Sequence, residues 1–216
     1  GHVDHVGGIG FFDEVWLHPD DFEMARTLIR EQRQGYVTIM NGMSGGLFSV
    51  TEEDVKGFDK LPQLKPLHEG DILDLGGRKV VVYETPGHTP GGLSFLDVRE
   101  RIIFTGDACN GNTLLSSSGS KKPKSGVDTL LATAKKPRAH EPYYDRDYNG
   151  HIGSAANVNC MPMPASINQD AIDVCEGILN GTVKGEPQEA AFGGNSYHAG
   201  KGAFGVRFDP EQLYTE

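Results

Sequence analysis

The chain has 216 residues and a formal net charge of −10, with 37% hydrophobic and 23% charged residues. This length allows one buried core and one domain, or at most two small ones. The acidic balance argues against a nucleic-acid partner, and no apolar run approaches the roughly 18 residues of a membrane span. The basic cluster of Lys121, Lys122 and Lys124 lies among serines and is interpreted as a solvated loop.

The cysteine content indicates a chain without a disulfide framework. Cys109, Cys160 and Cys175 are odd in number and show no paired spacing. This favours a reducing compartment, and we expect a cytoplasmic location. A signal peptide cannot be assessed, because the sequence does not begin with methionine.

The first part of the chain predicts a strand followed by a helix. Residues 14–18 form a short apolar stretch, and Pro19 and Asp20 then begin a helix with Asp20 as its cap. The apolar face of this helix comprises Phe22, Ala25, Leu28 and Ile29. Residues 34–62 show little periodicity, which indicates irregular structure or an insertion over a site.

Two β-hairpins are predicted in the middle of the chain. Residues 71–75 and 80–83 flank Gly76-Gly77, and residues 93–98 and 101–105 form a second pair. Residues 111–126 are rich in glycine, serine and lysine and predict a polar loop.

Two helices and a final strand are predicted after this loop. One helix begins at Ser125, has Asp128 at the capping-box position and ends before Pro137. The other begins at Ser166, with Gln169 in a capping box, and ends at Asn180-Gly181. Its apolar stripe comprises Ile167, Ala171, Cys175 and Ile178, and the final strand spans residues 203–208.

Four segments place histidine or aspartate beside glycine. They are "GHVDHVGG" with His2, Asp4 and His5, "PGHTPGG" with His88, "FTGD" with Asp107 and "GHIG" with His151. A single loop histidine or strand-terminal aspartate is usually an ordinary polar residue. The joint pattern favours a metal centre, because imidazole and carboxylate groups are ligands of zinc and similar ions.

These segments resemble the metallo-β-lactamase superfamily, whose signature is His-x-His-x-Asp-His followed by a distant His, Asp and His. The similarity includes "HEGDILDLGGRKVVVYETPGHTPGGLSFLDVRERIIFTGD" and covers residues 1 to about 153. It implies an α/β fold, the four-layer αββα sandwich, with a C-terminal helix and strand in residues 154–216. The first signature histidine would precede Gly1, so the resemblance implies an N-terminally truncated chain that needs the missing half as its partner.

The resemblance also implies a ligand set for two metal ions. His2 and His88 would bind the first ion, Asp4, His5 and His151 the second, and Asp107 would bridge both. Zinc is expected, with iron or manganese left open. Two such ions would lower the pKa of a shared water, and the resulting hydroxide would attack a carbonyl carbon. Asp4 would orient this hydroxide and is the expected catalytic residue.

Several further residues are weaker candidates. Tyr197 and His198 could contact the substrate over the cleft, although a surface loop is the alternative. His140 competes with His151 as a ligand, and His151 is favoured because glycine precedes it. Cys109 could border the second ion or simply pack. Three tyrosines could donate to an oxyanion or belong to the core: Tyr143, Tyr144 and Tyr148.

The expected function is a zinc-dependent hydrolase of a small-molecule ester, thioester, lactone or lactam. Hydroxyacylglutathione hydrolases are similar around "PGHTPGG" and "FTGD", but the chain shows no basic helical tail to hold glutathione. One alternative is an iron-dependent redox member of the same superfamily, such as a sulfur dioxygenase or a flavodiiron-type protein. Another is an inactive fragment, and a homo-oligomer is left open.

Overall fold

The computed structural model describes residues 1–26, 30–45, 47, 50–55, 60–115, 125–151, 162–191 and 195–215. It contains helices and several β-sheets, which confirms the expected mixed α/β class. The chain forms two compact units, residues 1–67 and residues 68–216. Within the described ranges, no helix combines the length and apolar character needed to cross a membrane.

The first unit contains helices, a pair of strands and a small apolar cluster among its described residues. Its helices are α1 (Val3–Val6), α2 (Phe22–Arg26) and α3 (Arg30–Met43), with 3-10 turns at Ile9–Phe11, Pro19–Asp21 and Glu52–Asp54. Its strands are β1 (Glu14–Leu17) and β2 (Gln63–Pro66), which pair in parallel. The buried residues of the apolar cluster are Ile9, Leu17 and Ala25.

The predicted strand at residues 14–18 is confirmed, but the predicted helix cap is wrong. The chain first forms the 3-10 turn Pro19–Asp21, and His18 occupies the N-cap position. The His18 Nδ1 atom accepts a hydrogen bond from the Asp20 backbone N–H at 3.2 Å. The His18 ring, and not the expected Asp20 carboxylate, therefore caps the start of this turn. Leu28 and Ile29 lie outside the described residues.

Helix α3 contradicts the prediction of irregular structure from residue 34, since it continues to Met43. The Gln34 side-chain amide donates to the Glu52 carbonyl at 2.9 Å, and the Thr38 hydroxyl donates to the Glu52 carboxylate at 2.7 Å. These contacts are polar and exposed. The prediction failed because it relied on apolar periodicity, which a largely solvated helix does not need.

The second unit contains ten strands and two long helices among its described residues. The strands are β3 (Ile72–Asp74), β4 (Lys79–Glu84), β5 (Leu93–Asp97), β6 (Ile102–Gly106), β7 (Thr113–Leu114), β8 (Arg146–Asn149), β9 (Met163–Pro164), β10 (Glu186–Ala191), β11 (Asn195–Lys201) and β12 (Phe204–Phe208). The helices are α4 (Val127–Ala139) and α5 (Ile167–Leu179). One sheet has the order β3-β4-β5-β6-β8-β9 and the other β10-β11-β12-β7.

Both predicted hairpins are confirmed in the six-stranded sheet. Strands β3 and β4 pair antiparallel around Gly76-Gly77, and β5 and β6 form the second antiparallel pair. Strands β4 and β5 are also antiparallel, whereas β6 and β8 are parallel. Strands β4, β6 and β8 therefore run in the same direction, and their carboxyl ends lie at one edge of the sheet.

Helix α4 contradicts the predicted stop before Pro137, because it continues through this residue to Ala139. A proline in the last turn removes only one backbone N–H from the helix. The Pro137 ring is buried, and its carbonyl accepts from the His140 N–H and from the Tyr144 hydroxyl, each at 2.9 Å. These contacts stabilise the last turn in spite of the lost donor.

Neither predicted capping box forms. Helix α4 has Gly126 at its N-cap, and Asp128 instead accepts from the Thr129 and Thr215 backbone N–H groups. Helix α5 begins after Ser166 as predicted, but the Ser166 side chain makes no capping bond. The Gln169 side-chain amide donates to Asp173 at 2.7 Å, and its oxygen accepts from Arg138 at 3.0 Å rather than from the Ser166 backbone N–H. The side chains that were expected to cap these helices therefore bind other partners. Asp128 binds Thr215, which is distant in the sequence, and Gln169 binds Asp173, four residues later.

Helix α5 carries the main apolar core of the unit. The predicted stripe of Ile167, Ala171, Cys175 and Ile178 is buried, and the helix ends at Leu179 before Asn180-Gly181. The stripe packs against α4 and against β11 and β12. The predicted final strand is confirmed as β12, while the predicted loop at 111–126 contains the short strand β7.

The two described cysteines, Cys109 and Cys175, are buried free thiols. Burial raises the pKa of both, that of Cys175 to about 12. Neither thiol is therefore a reactive thiolate at neutral pH. Cys160 and the lysines of the 111–126 loop lie outside the described residues.

A buried polar network joins β6, β8 and α5. The Thr105 hydroxyl donates to Asp147 Oδ1 at 2.6 Å, and the Asn168 amide donates to Asp147 Oδ2 at 3.2 Å. The same amide donates to the Tyr144 hydroxyl at 3.1 Å. Burial raises the pKa of Asp147 to about 7, although both hydrogen bonds favour its charged form.

We predict that Asp147 makes stability decrease as the pH rises from about 4 to about 7. In this range the unfolded chain has released the Asp147 proton and the folded chain retains it, so the folded state binds more protons. The loss is on the order of 4 kcal/mol at about 1.4 kcal/mol per pH unit. Urea unfolding of the wild type and Asp147→Asn measures it, because the difference between them should fall with pH. An unchanged difference would contradict the prediction.

Candidate metal centre

Three predicted ligands lie beyond the carboxyl ends of three strands that run in the same direction. His88 follows the end of β4 by four residues, Asp107 directly follows β6, and His151 follows the end of β8 by two. Strands β6 and β8 are neighbours, and β5 separates β4 from β6. The topology of the sheet therefore brings together residues that are distant in the sequence.

The carboxylate of Asp107 lies between two imidazoles. His88 Nε2 is 3.2 Å from Asp107 Oδ2, and His151 Nε2 is 3.1 Å from Asp107 Oδ1. The Asp107 side chain is 7% exposed, whereas His88 is 18% and His151 48% exposed. Each carboxylate oxygen thus faces its own ring nitrogen, which is the arrangement of a carboxylate that can bridge two cations.

A backbone carbonyl orients the His88 ring. The Nδ1 atom of His88 lies 2.7 Å from the carbonyl oxygen of Leu114, in strand β7. A carbonyl can only accept, so Nδ1 carries a hydrogen and Nε2, on the side of Asp107, is the ring nitrogen left to bind a metal ion. This second contact is typical of histidines that bind metal ions, because it sets both the tautomer and the ring direction.

The backbone before Asp107 turns sharply at Gly106. This residue has φ = +54°, in the left-handed region that glycine adopts without steric cost. The Gly106 carbonyl accepts a hydrogen bond from the Gly150 N–H at 3.0 Å. The turn that presents Asp107 is thereby connected to the residue that precedes His151.

The loop that carries His88 is closed by a tight backbone contact. The Thr85 N–H donates to the Gly92 carbonyl at 2.8 Å, and the Gly92 N–H donates to the Thr89 carbonyl at 3.3 Å. A Cβ atom on Gly92 would lie 2.4 Å from the Thr85 carbonyl oxygen. The last glycine of "PGHTPGG" is therefore required by the close approach of the two ends of the loop.

The other three predicted ligands belong to the first unit. His2 is the N-cap residue of α1, and Asp4 and His5 lie within this four-residue helix. His5 Nε2 is 3.7 Å from Asp4 Oδ2. The side chains are partly accessible, with 35% of His5 and 24% of Asp4 exposed.

The two weaker substrate candidates lie on β11 of the small sheet. The Tyr197 ring packs against Phe208, with the ring centres 6.1 Å apart. His198 is paired in register with Glu186 on one side and Arg207 on the other. Partial burial and the charge of Arg207 lower the pKa of His198. A role of either residue in substrate binding stays a prediction.

The remaining candidates form ordinary packing contacts. His140, the alternative to His151, lies against Tyr83 with the ring centres 4.6 Å apart, and Tyr143 is 6.4 Å from it. Tyr148 stacks on Phe104 at 5.8 Å. Tyr144 and Cys109 are buried. Burial raises the pKa of the Tyr144 hydroxyl, which donates to the Pro137 carbonyl.

The groups that support these candidate ligands could not be identified from the sequence. The Leu114 carbonyl is a backbone atom, and no residue pattern marks it. Asp147 lies in a strand whose sequence, Arg-Asp-Tyr-Asn, lacks the apolar alternation that would have indicated β-structure. The Asp147 side chain is fully buried, and its burial depends on the pairing of β8 with β6 rather than on the local sequence.

The chain belongs to the metallo-beta-lactamase superfamily, whose model matches residues 1–155. The acyl-coenzyme A thioesterase MBLAC2 of Gallus gallus is 32% identical over 49% of this chain and 38% of its own length. The hydroxyacylglutathione hydrolase GloC of Haemophilus influenzae is 30% identical over 50% of this chain and 45% of its own length. A solved archaeal metallo-beta-lactamase superfamily protein from Sulfolobus tokodaii aligns with a TM-score of 0.47 and 15% identity, over 82% of this chain and 61% of its own.

The chain spans less than half the length of the two curated relatives described above. The family match includes all six predicted ligand positions, from His2 to His151. The expected N-terminal truncation stays a prediction.

We predict that Gly92→Ala destabilises the protein. The added methyl group would overlap the Thr85 carbonyl, and relief of this overlap would have to move the loop that carries His88. The expected loss is about 1–3 kcal/mol in the free energy of unfolding, measured by urea denaturation. Gly42→Ala is the matched control, because a Cβ there meets no atom within 4 Å. Equal stability of Gly92→Ala and the wild type would contradict the described loop geometry.

Proposed function

We propose that the protein is a metal-dependent hydrolase that cleaves a small acyl compound. Esters, thioesters, lactones and lactams share the electrophilic carbonyl that this chemistry needs. Among them we favour a thioester, because the names of two relatives describe hydrolysis of acyl derivatives of coenzyme A and of glutathione. Coenzyme A and glutathione are both thiols.

The observation that carries the proposal is the position of Asp107 between His88 and His151. Two imidazole nitrogens and a nearly buried carboxylate form a donor set that suits zinc and also accommodates iron or manganese. The ring of His88 is already held in the tautomer that a cation needs. These groups fit a metal centre, with Asp107 as the ligand common to two ions.

We propose that His2, Asp4 and His5 supply the remaining ligands. In this assignment His2 joins His88 at the first ion, and Asp4 and His5 join His151 at the second. The superfamily match over residues 1–155 supports it, as does the local geometry of α1, in which Asp4 and His5 present donor atoms 3.7 Å apart. We assign zinc as the metal.

The side chains then have distinct tasks in hydrolysis. When bound, two divalent ions activate a water molecule and polarise the substrate carbonyl. Asp4 accepts a hydrogen bond from the attacking water through its carboxylate and so directs the attack. The two oxygens of the Asp107 carboxylate each contact one ring, His88 at one oxygen and His151 at the other, and so hold the two rings apart. Tyr197 and His198 are assigned to contact with the small-molecule substrate.

We predict that substitution of Asp107 removes both metal ions, whereas substitution of a histidine removes mainly one. The wild type should bind two equivalents of zinc, Asp107→Ala fewer than one, and His88→Ala and His151→Ala about one each. Metal content after dialysis against trace zinc measures this. The rate of hydrolysis of a panel of acyl thioesters should fall by at least ~100-fold in all three variants. Loss of a group that only supports a metal ligand typically costs ~10- to 100-fold.

His140→Gln is the matched control, because His140 packs against Tyr83 and lies outside the proposed ligand set. It should retain two equivalents of zinc and the wild-type rate. If Asp107→Ala also retains both equivalents, the assignment of Asp107 as the shared ligand is wrong. Metal analysis of the native protein together with oxygen consumption tests the iron-dependent redox alternative.

A further inference from the structure

The pairing of β6 with β8 contains a one-residue irregularity directly before Asp107. Ile103 pairs with Asp147 and Phe104 with Tyr148, but the next pair is Gly106 with Asn149. Thr105 is therefore an extra residue on β6, which defines a β-bulge. Bulges bend a strand and change the direction of the side chains that follow.

The turn that begins at the bulge sets the direction of Asp107. Ile103 and Thr105 are buried and Phe104 between them is exposed, so side chains alternate between the two faces as far as Thr105. Asp107 lies beyond the strand, after the left-handed turn at Gly106. The position of Thr105 therefore determines where this turn starts.

The side chain and backbone of Thr105 hold the bulge in place. Thr105 is 1% exposed, and its hydroxyl donates to Asp147 Oδ1 at 2.6 Å. Its carbonyl accepts from the Ala108 N–H at 3.1 Å, which closes the turn around Asp107. The other oxygen of Asp147 is held by Asn168 of helix α5 at 3.2 Å.

We propose that Asp147 is a positioning residue for the metal centre: by holding Thr105 in the bulge, it directs Asp107 toward His88 and His151. This inference rests on the proposed metal centre. A buried carboxylate lowers stability when it ionises, and an apolar residue at this position would avoid that cost. The position of Asp147 opposite the bulge gives it a role that an apolar residue could not fill.

The test compares zinc dissociation constants, measured on the full chain by competition with a chelating dye. Thr105→Val removes the hydroxyl with little change in shape and should weaken zinc binding by about 10-fold or more, as groups behind metal ligands do. Thr105→Ser keeps the hydroxyl and should bind within about twofold of the wild type. Asp147→Ala and Asp147→Asn form a second pair, because asparagine retains an oxygen that can accept from Thr105.

Ile103→Val is the control for stability alone, because Ile103 is buried on the same strand and makes no polar side-chain contact. It should lower the urea midpoint without a change in the zinc dissociation constant. A wild type that binds no zinc would overturn the proposed function and this inference with it. If the wild type binds zinc and Thr105→Val and Asp147→Ala bind it equally well, the positioning role is wrong and the metal centre stands.

Discussion

The pairing of one carboxylate with two imidazoles, Asp107 with His88 and His151, is the interaction on which the candidate site depends. A carboxylate that is 7% exposed is costly to bury unless hydrogen-bond donors or positive charges surround it. Each oxygen of Asp107 faces one ring nitrogen, at 3.2 and 3.1 Å. A cation bound by these groups would offset the buried charge. The donor set is therefore one that suits a metal ion, as we propose.

The six-stranded sheet supplies the geometry that this interaction requires. Strands β4, β6 and β8 end at one edge, and each is followed by a loop that carries one predicted ligand. The close contact at Gly92 closes the His88 loop, and the left-handed turn at Gly106 redirects the chain at Asp107. The apolar packing of α5 against α4 and the small sheet stabilises the remainder of the unit. The three predicted ligands thus lie in loops, and the strands determine where those loops begin.

The sequence predicted the parts of this structure that depend on local patterns. Apolar stretches indicated both hairpins, and Gly76-Gly77 marked the turn of the first. The glycine-flanked "FTGD" and "PGHTPGG" segments indicated the candidate ligands that follow β6 and β4. Helix α3 was missed because its side-chain contacts are polar. Helix α4 continues through Pro137, whose carbonyl accepts from the His140 N–H and the Tyr144 hydroxyl. Strand β8 and the bulge at Thr105 depend on pairing between distant segments. No local pattern in a single sequence specifies that pairing.

The most direct test of the shared-ligand account is the location of metal ions in crystals of the zinc-loaded protein. Anomalous diffraction above and below the zinc absorption edge identifies zinc and its coordinating atoms. The account predicts two zinc peaks, one on each side of the Asp107 carboxylate, with His88 at one ion and His151 at the other. A single peak bound by both histidines, or zinc bound without Asp107, would contradict it.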